Sequence, residues 1–248
     1  MAKIPLNFFR AWLAEDGAGA PSGVRIYREQ LARRPETLLV LKKLLVDHYV
    51  GEATIVASGG FKKAAEIIKN SLPASKRIRS GDLAELLATE YVNSETTYRV
   101  PIRKLRWKSD RDTPLHGNDV VGVDTSTART SVLKCECKSR AQFKPSDADE
   151  AVAGLTGHGG RPNPSTLAFI AKRLYEMGRD AEAKVFQDLL TARAIRATDV
   201  RHLVFVLSGN VPATQLSSVV VAAKNRTQRT ATAIVVKDHA AFIDLVFP

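Results

Sequence analysis

The sequence predicts an α/β fold, a central mixed sheet flanked by helices, with a helical region at the N-terminus. Three observations carry that expectation. The chain has 248 residues, 44% hydrophobic and 25% charged, which suffices for one large domain or a core with a smaller appendage. Along it the apolar spacing runs in the order helix, three strands, helices, strand, helix, strand. Clusters of Gly, Pro and Asn fall between those segments, where turns are needed.

Taken in order, Phe8, Phe9 and Trp12 begin the apolar pattern, and a Gly/Ala/Pro loop occupies residues 16–23. Leu31, Leu38, Leu39, Leu41, Leu44 and Leu45 suggest helix over 24–49, interrupted near Pro35. Gly59-Gly60 opens a second amphipathic helix through Asn70, closed by Pro73. The character changes near Gly81, so the chain divides into a helical N-terminal region, 1–78, and a core, 79–248. Ser80 can cap a helix whose apolar stripe is Leu83, Leu86, Leu87 and Tyr91. Strands are expected over 98–107, 119–124 and 131–138, separated by turns at Pro114, His116-Gly117-Asn118 and Thr125-Ser-Thr127. After Pro145 the pattern returns to helix. A Gly/Pro/Asn loop over 154–164 leads to a long helix from Ser165 to about Ala194. Strands over 202–207 and 231–237, with a helical segment between them, complete the order.

Charge narrows the function. Lys and Arg total 37 against 26 acidic residues, a net charge of +11 with a pI near 9.8. Such a surplus favours a polyanion, because each Lys or Arg that meets a phosphate releases condensed counterions. No basic amphipathic helix with an aromatic face stands out, and no apolar run approaches 18 residues, so a membrane partner is not expected. The first residues lack the layout of a signal peptide. The two cysteines, Cys135 and Cys137, stand too close along a strand for ordinary disulfide geometry. A reducing, cytoplasmic setting fits.

The chemistry concentrates in Ser131-Val-Leu-Lys-Cys-Glu-Cys-Lys138. Side chains alternate along a strand, so Leu133, Cys135 and Cys137 share one face while Lys134, Glu136 and Lys138 share the other. An acid and a lysine side by side suit phosphodiester hydrolysis: the carboxylate holds a hard divalent cation, and the lysine orients water or steadies phosphate charge. Alone, Glu-x-Lys also describes a solvated ion pair. Asp119 lies 17 residues upstream (136 − 119 = 17), at the mouth of the apolar strand Val120-Val-Gly-Val123. Buried there, a carboxylate needs a cation or donors; otherwise it caps the Gly117-Asn118 corner.

An acid opening one strand, followed on the next by Glu-x-Lys, resembles the PD-(D/E)XK superfamily. Gly81-Asp-Leu-Ala-Glu85, then Leu115-His-Gly-Asn-Asp119, then Glu136-Cys-Lys138 is similar to the HamA family, the nuclease component of Hachiman anti-phage defence. The resemblance implies a restriction-endonuclease-like sheet and a DNA nuclease. Asp119 and Glu136 would ligate Mg²⁺ or Mn²⁺, with the Cys137 carbonyl as a further ligand, and Lys138 would position or help deprotonate water. Glu85 matches the helix carboxylate that binds metal or water in such sites. A helicase partner, HamB-like, would restrain the nuclease until infection. Two departures stand out. Asn118 replaces the family's Pro, and Glu85 lies off the Leu stripe, which leaves Glu90 as its rival.

Other constellations are weaker. Cys135 and Cys137 with His116 or His158 lack the second pair of a structural zinc site and read as small core residues. His116 beside Asp119 is a candidate general base or a turn residue. Gly157-His-Gly-Gly160 lacks the Lys of a P-loop. Arg99, Arg103, Lys104, Arg106, Lys108 and Arg111, with Trp107 among them, either guide a phosphate backbone or form a solvated strand face. Two alternatives to a DNA nuclease remain open, a non-catalytic DNA-binding or scaffolding module on the same fold and an RNA-directed nuclease.

Overall fold

The β-branched runs pair into one sheet and the longer periodic runs cover its faces. The computed structural model describes residues 5, 7–16, 21–191, 195–223 and 228–247. Its elements are α1 (Phe8–Trp12), β1 (Leu13–Glu15), β2 (Val24–Glu29), α2 (Arg34–Tyr49), α3 (Glu52–Ala57), α4 (Phe61–Ser71), α5 (Lys76–Glu95), β3 (Val120–Asp124) and β4 (Ser131–Arg140). They continue with α6 (Pro145–Thr156), α7 (Pro164–Glu176), α8 (Asp180–Leu189), β5 (Val200–Ser208), α9 (Ala213–Val221), β6 (Gln228–Val235) and α10 (His239–Val246). Residues 17–20 of the expected loop and 192–194 of the expected long helix lie outside the described residues.

Among the described residues six strands form one mixed sheet, in the order β1-β2-β6-β5-β4-β3. The inner four run parallel, while β1 and β3 pair antiparallel at the two edges. Parallel strands are covered on both faces, hence the unbroken apolar run Leu203-Val-Phe-Val-Leu207 in β5. Alternation divides it: Leu203, Phe205 and Leu207 join Leu83, Leu87, Tyr91 and Phe242 on the α5 face, while Val204 and Val206 join Leu155 and Leu216 on the α6–α9 face. Helices α7 and α8 close a third cluster over Val121, Val123 and Val132. No helix among the described residues is long and apolar enough to cross a membrane.

Three basic side chains in one row across the sheet, Lys134, Arg229 and between them His202, which burial holds towards its neutral form, sit beneath carbonyls at and after the ends of the covering helices. Lys134 pairs in register with His202, and His202 with Arg229. The fully buried Lys134 ammonium donates to the Leu155 and Gly157 carbonyls, each at 2.9 Å, at the end of α6. Arg229 donates to the Val219 carbonyl of α9 at 3.0 Å, and His202 Nε2 bonds the Gly160 carbonyl at 2.8 Å. Cations at helix C-termini meet orphan carbonyls and the negative end of the helix dipole. Burial still pulls the Lys134 ammonium down to about 8, against the pull of Glu136.

Four expectations need correction. The helix expected from residue 24 begins at Arg34, and Val24–Glu29 is a strand that pairs with β6. Its buried Val24 and Ile26 alternate with the exposed Arg25, and Pro35 sits in the first turn of α2, where no amide donor is needed. The helix expected at Ser80 starts at Lys76, which leaves the Ser80 hydroxyl to donate to Ser139 at 2.8 Å. The long helix after Ser165 breaks at Gly178, whose φ of +68° suits glycine. The strand expected over 98–107 is reduced to one bridge, Arg99 with Val123, followed by a 3₁₀ turn at Lys104–Trp107. Pro101 offers no amide donor there, and the Asn93 side chain takes the Val100 N–H.

Most cations of that segment turn inward, while Arg99 and Arg111 stay exposed. Arg103 pairs with Asp47 and with Glu90, and Glu90 also bonds His48 at 2.8 Å. Arg106 donates to the Asp47 carbonyl, and Lys108 reaches Asp82 at 2.7 Å, where the Tyr49 hydroxyl also donates. Arg99 donates to the Asn93, Thr96 and Tyr98 carbonyls. The basic run is therefore mostly a clamp between α2 and α5 rather than a phosphate track. Arg103→Met leaves Asp47 and Glu90 short of a cation. It should cost about 3 kcal/mol, the low end for breaking a buried pair, because Arg106 and His48 remain. Urea unfolding measures this; a loss under about 1 kcal/mol would mean that the clamp is solvated.

Candidate active site

Strand β4 alternates as its sequence requires. Leu133 and Cys135 enter the α5-side core, and Glu136 and Lys138 face α6. There Gly154 lies so close to Glu136 that a Cβ on it would stand 2.5 Å from the carboxylate carbon. The Glu136 carboxylate therefore packs against α6 at a residue without a side chain, and a Cβ there would have to push it aside. Lys138 Nζ donates to Glu136 at 3.2 Å and lies 3.7 Å from Glu150 of α6.

Asp119 reaches the same place from the residue just before β3. The antiparallel register ends with Val120 opposite Cys135, so Asp119, one residue further out, comes near Glu136, on which its charge acts. Its Oδ2 accepts from the Cys137 backbone N–H at 2.7 Å. The preceding Asn118 is buried and fastened on three sides. Its N–H donates to Thr166 at 3.0 Å, its side-chain oxygen accepts from the Asn163 N–H at 2.6 Å, and its carbonyl accepts from Lys104 at 2.7 Å. Asparagine thus secures the turn through bonds where proline would do so through a fixed dihedral.

Glu85 approaches from the opposite side of the sheet, half-buried on α5, with Lys104 at 3.4 Å. Its rival Glu90 is engaged by His48 and Arg103. Burial pushes the Glu85 carboxyl up to about 8; Lys104 opposes the shift and the charge of Asp119 adds to it. Burial, and then Asp119, likewise raise Glu136 to about 7 against Lys138. Both glutamates feel Asp119, which stands between the two faces. Lys104 is held above the ordinary lysine value: burial works against its charge, but Glu85 and then Asp119 outweigh it.

Among the described residues, no three His, Cys, Asp or Glu side chains converge as a ready metal cluster. Glu85, Asp119 and Glu136 each hold a protein donor instead. The neighbouring pair, Asp119 and Glu136, nevertheless fits a hard divalent cation. Both are oxygen ligands, and the charge of one works against ionisation of the other, a conflict that a cation relieves. His116 and His158 are exposed, while the free thiols Cys135 and Cys137 are buried and half-buried with sulfurs 3.9 Å apart. Sequence reasoning did not anticipate Gly154, which it placed at the start of a loop and which lies in the last turn of α6, nor the place of Lys104 beside the acids.

Comparison with known proteins bears out the resemblance to the HamA family. A family model described as HamA matches residues 7–247. The Hachiman protein HamA of Bacillus cereus is 27% identical over 220 residues, covering 84% of this chain and 79% of that protein.

Two outcomes follow from the geometry. Gly154→Ala should displace the Glu136 carboxylate and weaken divalent-ion binding at least tenfold, with little change in Tm because alanine favours helix. Unchanged Mn²⁺ affinity in a titration would show that Glu136 has room to move. The pH dependence has a definite sign. The folded protein holds the Glu136 and Glu85 protons more tightly than the unfolded chain, whose carboxyls titrate near 4.5. Their contribution to stability therefore falls as pH rises from about 4.5 to about 8. Melting curves without divalent ions should show Tm falling over that window, less steeply in Glu136→Gln; equal slopes for the two proteins would refute the assignment.

Proposed function

The chain belongs to the HamA family, and from that premise we propose that it is a metal-dependent nuclease of the PD-(D/E)XK type, hydrolysing DNA as an effector of Hachiman anti-phage defence. One observation carries the reading: the Asp119 carboxylate, one residue before β3, accepts from the Cys137 N–H at 2.7 Å and so stands beside Glu136 on β4, with the Lys138 ammonium 3.2 Å from Glu136. A mixed sheet with helices on both faces supports the restriction-endonuclease-like assignment.

Asp119 and Glu136 would hold Mg²⁺, or Mn²⁺ in its place. A divalent ion there supplies Lewis-acid polarisation of the phosphate and a more acidic water. Lys138 presents a positive charge beside Glu136, able to orient a water or to steady charge on a phosphate oxygen. The Cys137 N–H fixes the Asp119 carboxylate, and Gly154 fixes the position of Glu136. Glu85 is the third acid of the set, and reaches a shared ion only by giving up Lys104. The net charge of +11 suits a polyanionic substrate, and a HamB-like helicase is the restraining partner in this proposal. The cytoplasm, where phage DNA enters, is the corresponding setting.

A second reading, a non-catalytic DNA-binding module, draws on the observation that each carboxylate already carries a protein donor. Purified protein incubated with matched DNA and RNA under Mg²⁺, Mn²⁺ or EDTA separates the readings, beside Glu136→Ala and Lys138→Ala. The nuclease should cut DNA only with metal. Glu136→Ala should abolish cutting, and Lys138→Ala should lower kcat by about 10²- to 10⁴-fold. Preferential cutting of RNA would reassign the substrate. Metal-dependent cutting that survives both substitutions would move the site elsewhere, and no cutting even with helicase and ATP would leave the binding module.

A further inference from the structure

The α5 face of the acid centre holds a cation already. Lys104 Nζ lies 2.7 Å from the Asn118 carbonyl and 3.4 Å from a Glu85 carboxylate oxygen, with the charge of Asp119 close by. The Lys104 and Glu85 side chains are only 11% and 13% exposed. Two carboxylates and a carbonyl are the oxygen set that a hard divalent ion selects. Here the occupant is an ammonium group carried by the chain itself. Its position is well defended: Arg103 and Arg106 anchor the same 3₁₀ turn on Asp47, and Leu105 is buried between them.

We infer that Lys104 is the built-in counter-cation of a second cation position, so that the centre takes one divalent ion, at Asp119 and Glu136. The inference rests on the reading of those two residues as metal ligands. Lys104 offsets the repulsion between Glu85 and Asp119, and it holds the Asn118 carbonyl so that the Asp119 carboxylate is directed towards β4. Its role is that of a positioning residue. With the ammonium removed, the Glu85 carboxylate and the Asn118 carbonyl lose the positive charge they share, within reach of the charge of Asp119. A second divalent ion is the simplest relief.

Calorimetric titration with Mn²⁺, checked by the paramagnetic resonance signal of free Mn²⁺, tests this on the full chain without turnover. Wild-type protein and Lys104→Arg should bind one ion, and Lys104→Gln should bind two. Lys104→Gln combined with Glu85→Gln should return to one. A single ion on Lys104→Gln, with wild type also at one, would overturn the counter-cation alone. No ion on wild type or Lys104→Gln would sink the metal reading beneath it. Should Lys104→Gln not fold, Glu85→Gln decides: an Mn²⁺ affinity within about threefold of wild type supports the inference. A loss beyond tenfold makes Glu85 a ligand of the single ion and overturns it.

Discussion

A carboxylate taken out of water needs a cation, and the packing of α5 against the rest of the molecule is organised by that need. Three acids on this helix, Asp82, Glu85 and Glu90, face three cations in reverse order on the following segment, Lys108, Lys104 and Arg103. The pairing works as an antiparallel electrostatic seam. It explains why residues 103–108 do not extend the sheet: a strand there would direct alternate cations away from α5. It also anchors α2, because Asp47, His48 and Tyr49 join the same network. The apolar contacts of Leu83, Leu87 and Tyr91 supply most of the burial on this face, and the seam sets which way round the helix lies.

Opposite this seam the sheet carries another kind of balance. Lys134, His202 and Arg229 stand in one row and direct their donors at carbonyls at the ends of the α6 and α9 region. Lys134 and Glu136 are neighbours on the same strand face, yet one holds a helix end and the other enters the acid centre. Both meet the last turn of α6: Lys134 donates to the Leu155 carbonyl, and the Glu136 carboxylate packs against Gly154, the residue before it. The C-terminal end of one helix thus serves both side chains, and at Gly154 the lack of a side chain leaves room for the carboxylate.

Burying cations inside the protein changes what the net charge of +11 says about a substrate. Arg103, Lys104, Lys108, Lys134 and Arg229 are matched to internal carboxylates or carbonyls. The charge that remains for a polyanion is carried by exposed residues such as Lys62, Lys63, Lys69 and Arg77 on α4 and the start of α5. Ser80 bonds Ser139 near the end of β4 that carries Glu136 and Lys138, so this basic stretch leads to the end of the sheet where the proposed site opens. Nearness to a motif in sequence was a poor guide to which cations face outward.

The sequence by itself determined the α/β class, the strands β3, β4, β5 and β6 nearly to their ends, and the alternation that sets Glu136 and Lys138 on one face. These depend on local period and on turn residues such as Gly117 and Thr125, which act within a few positions along the chain. It also marked Asp119, Glu85 and the HamA-like motif order. Only the tertiary structure decided that Val24–Glu29 is a strand, because its pairing partner lies some 200 residues away in β6 and its own short alternation is overshadowed by the leucines that follow. Only the tertiary structure showed that Glu90 is engaged by His48 and Arg103 while Glu85 stands beside Lys104, since those partners come from other segments of the chain. The same holds for Lys104 and Gly154. A charge or a missing side chain acquires its role from what is folded against it, and that partner is not encoded in neighbouring residues.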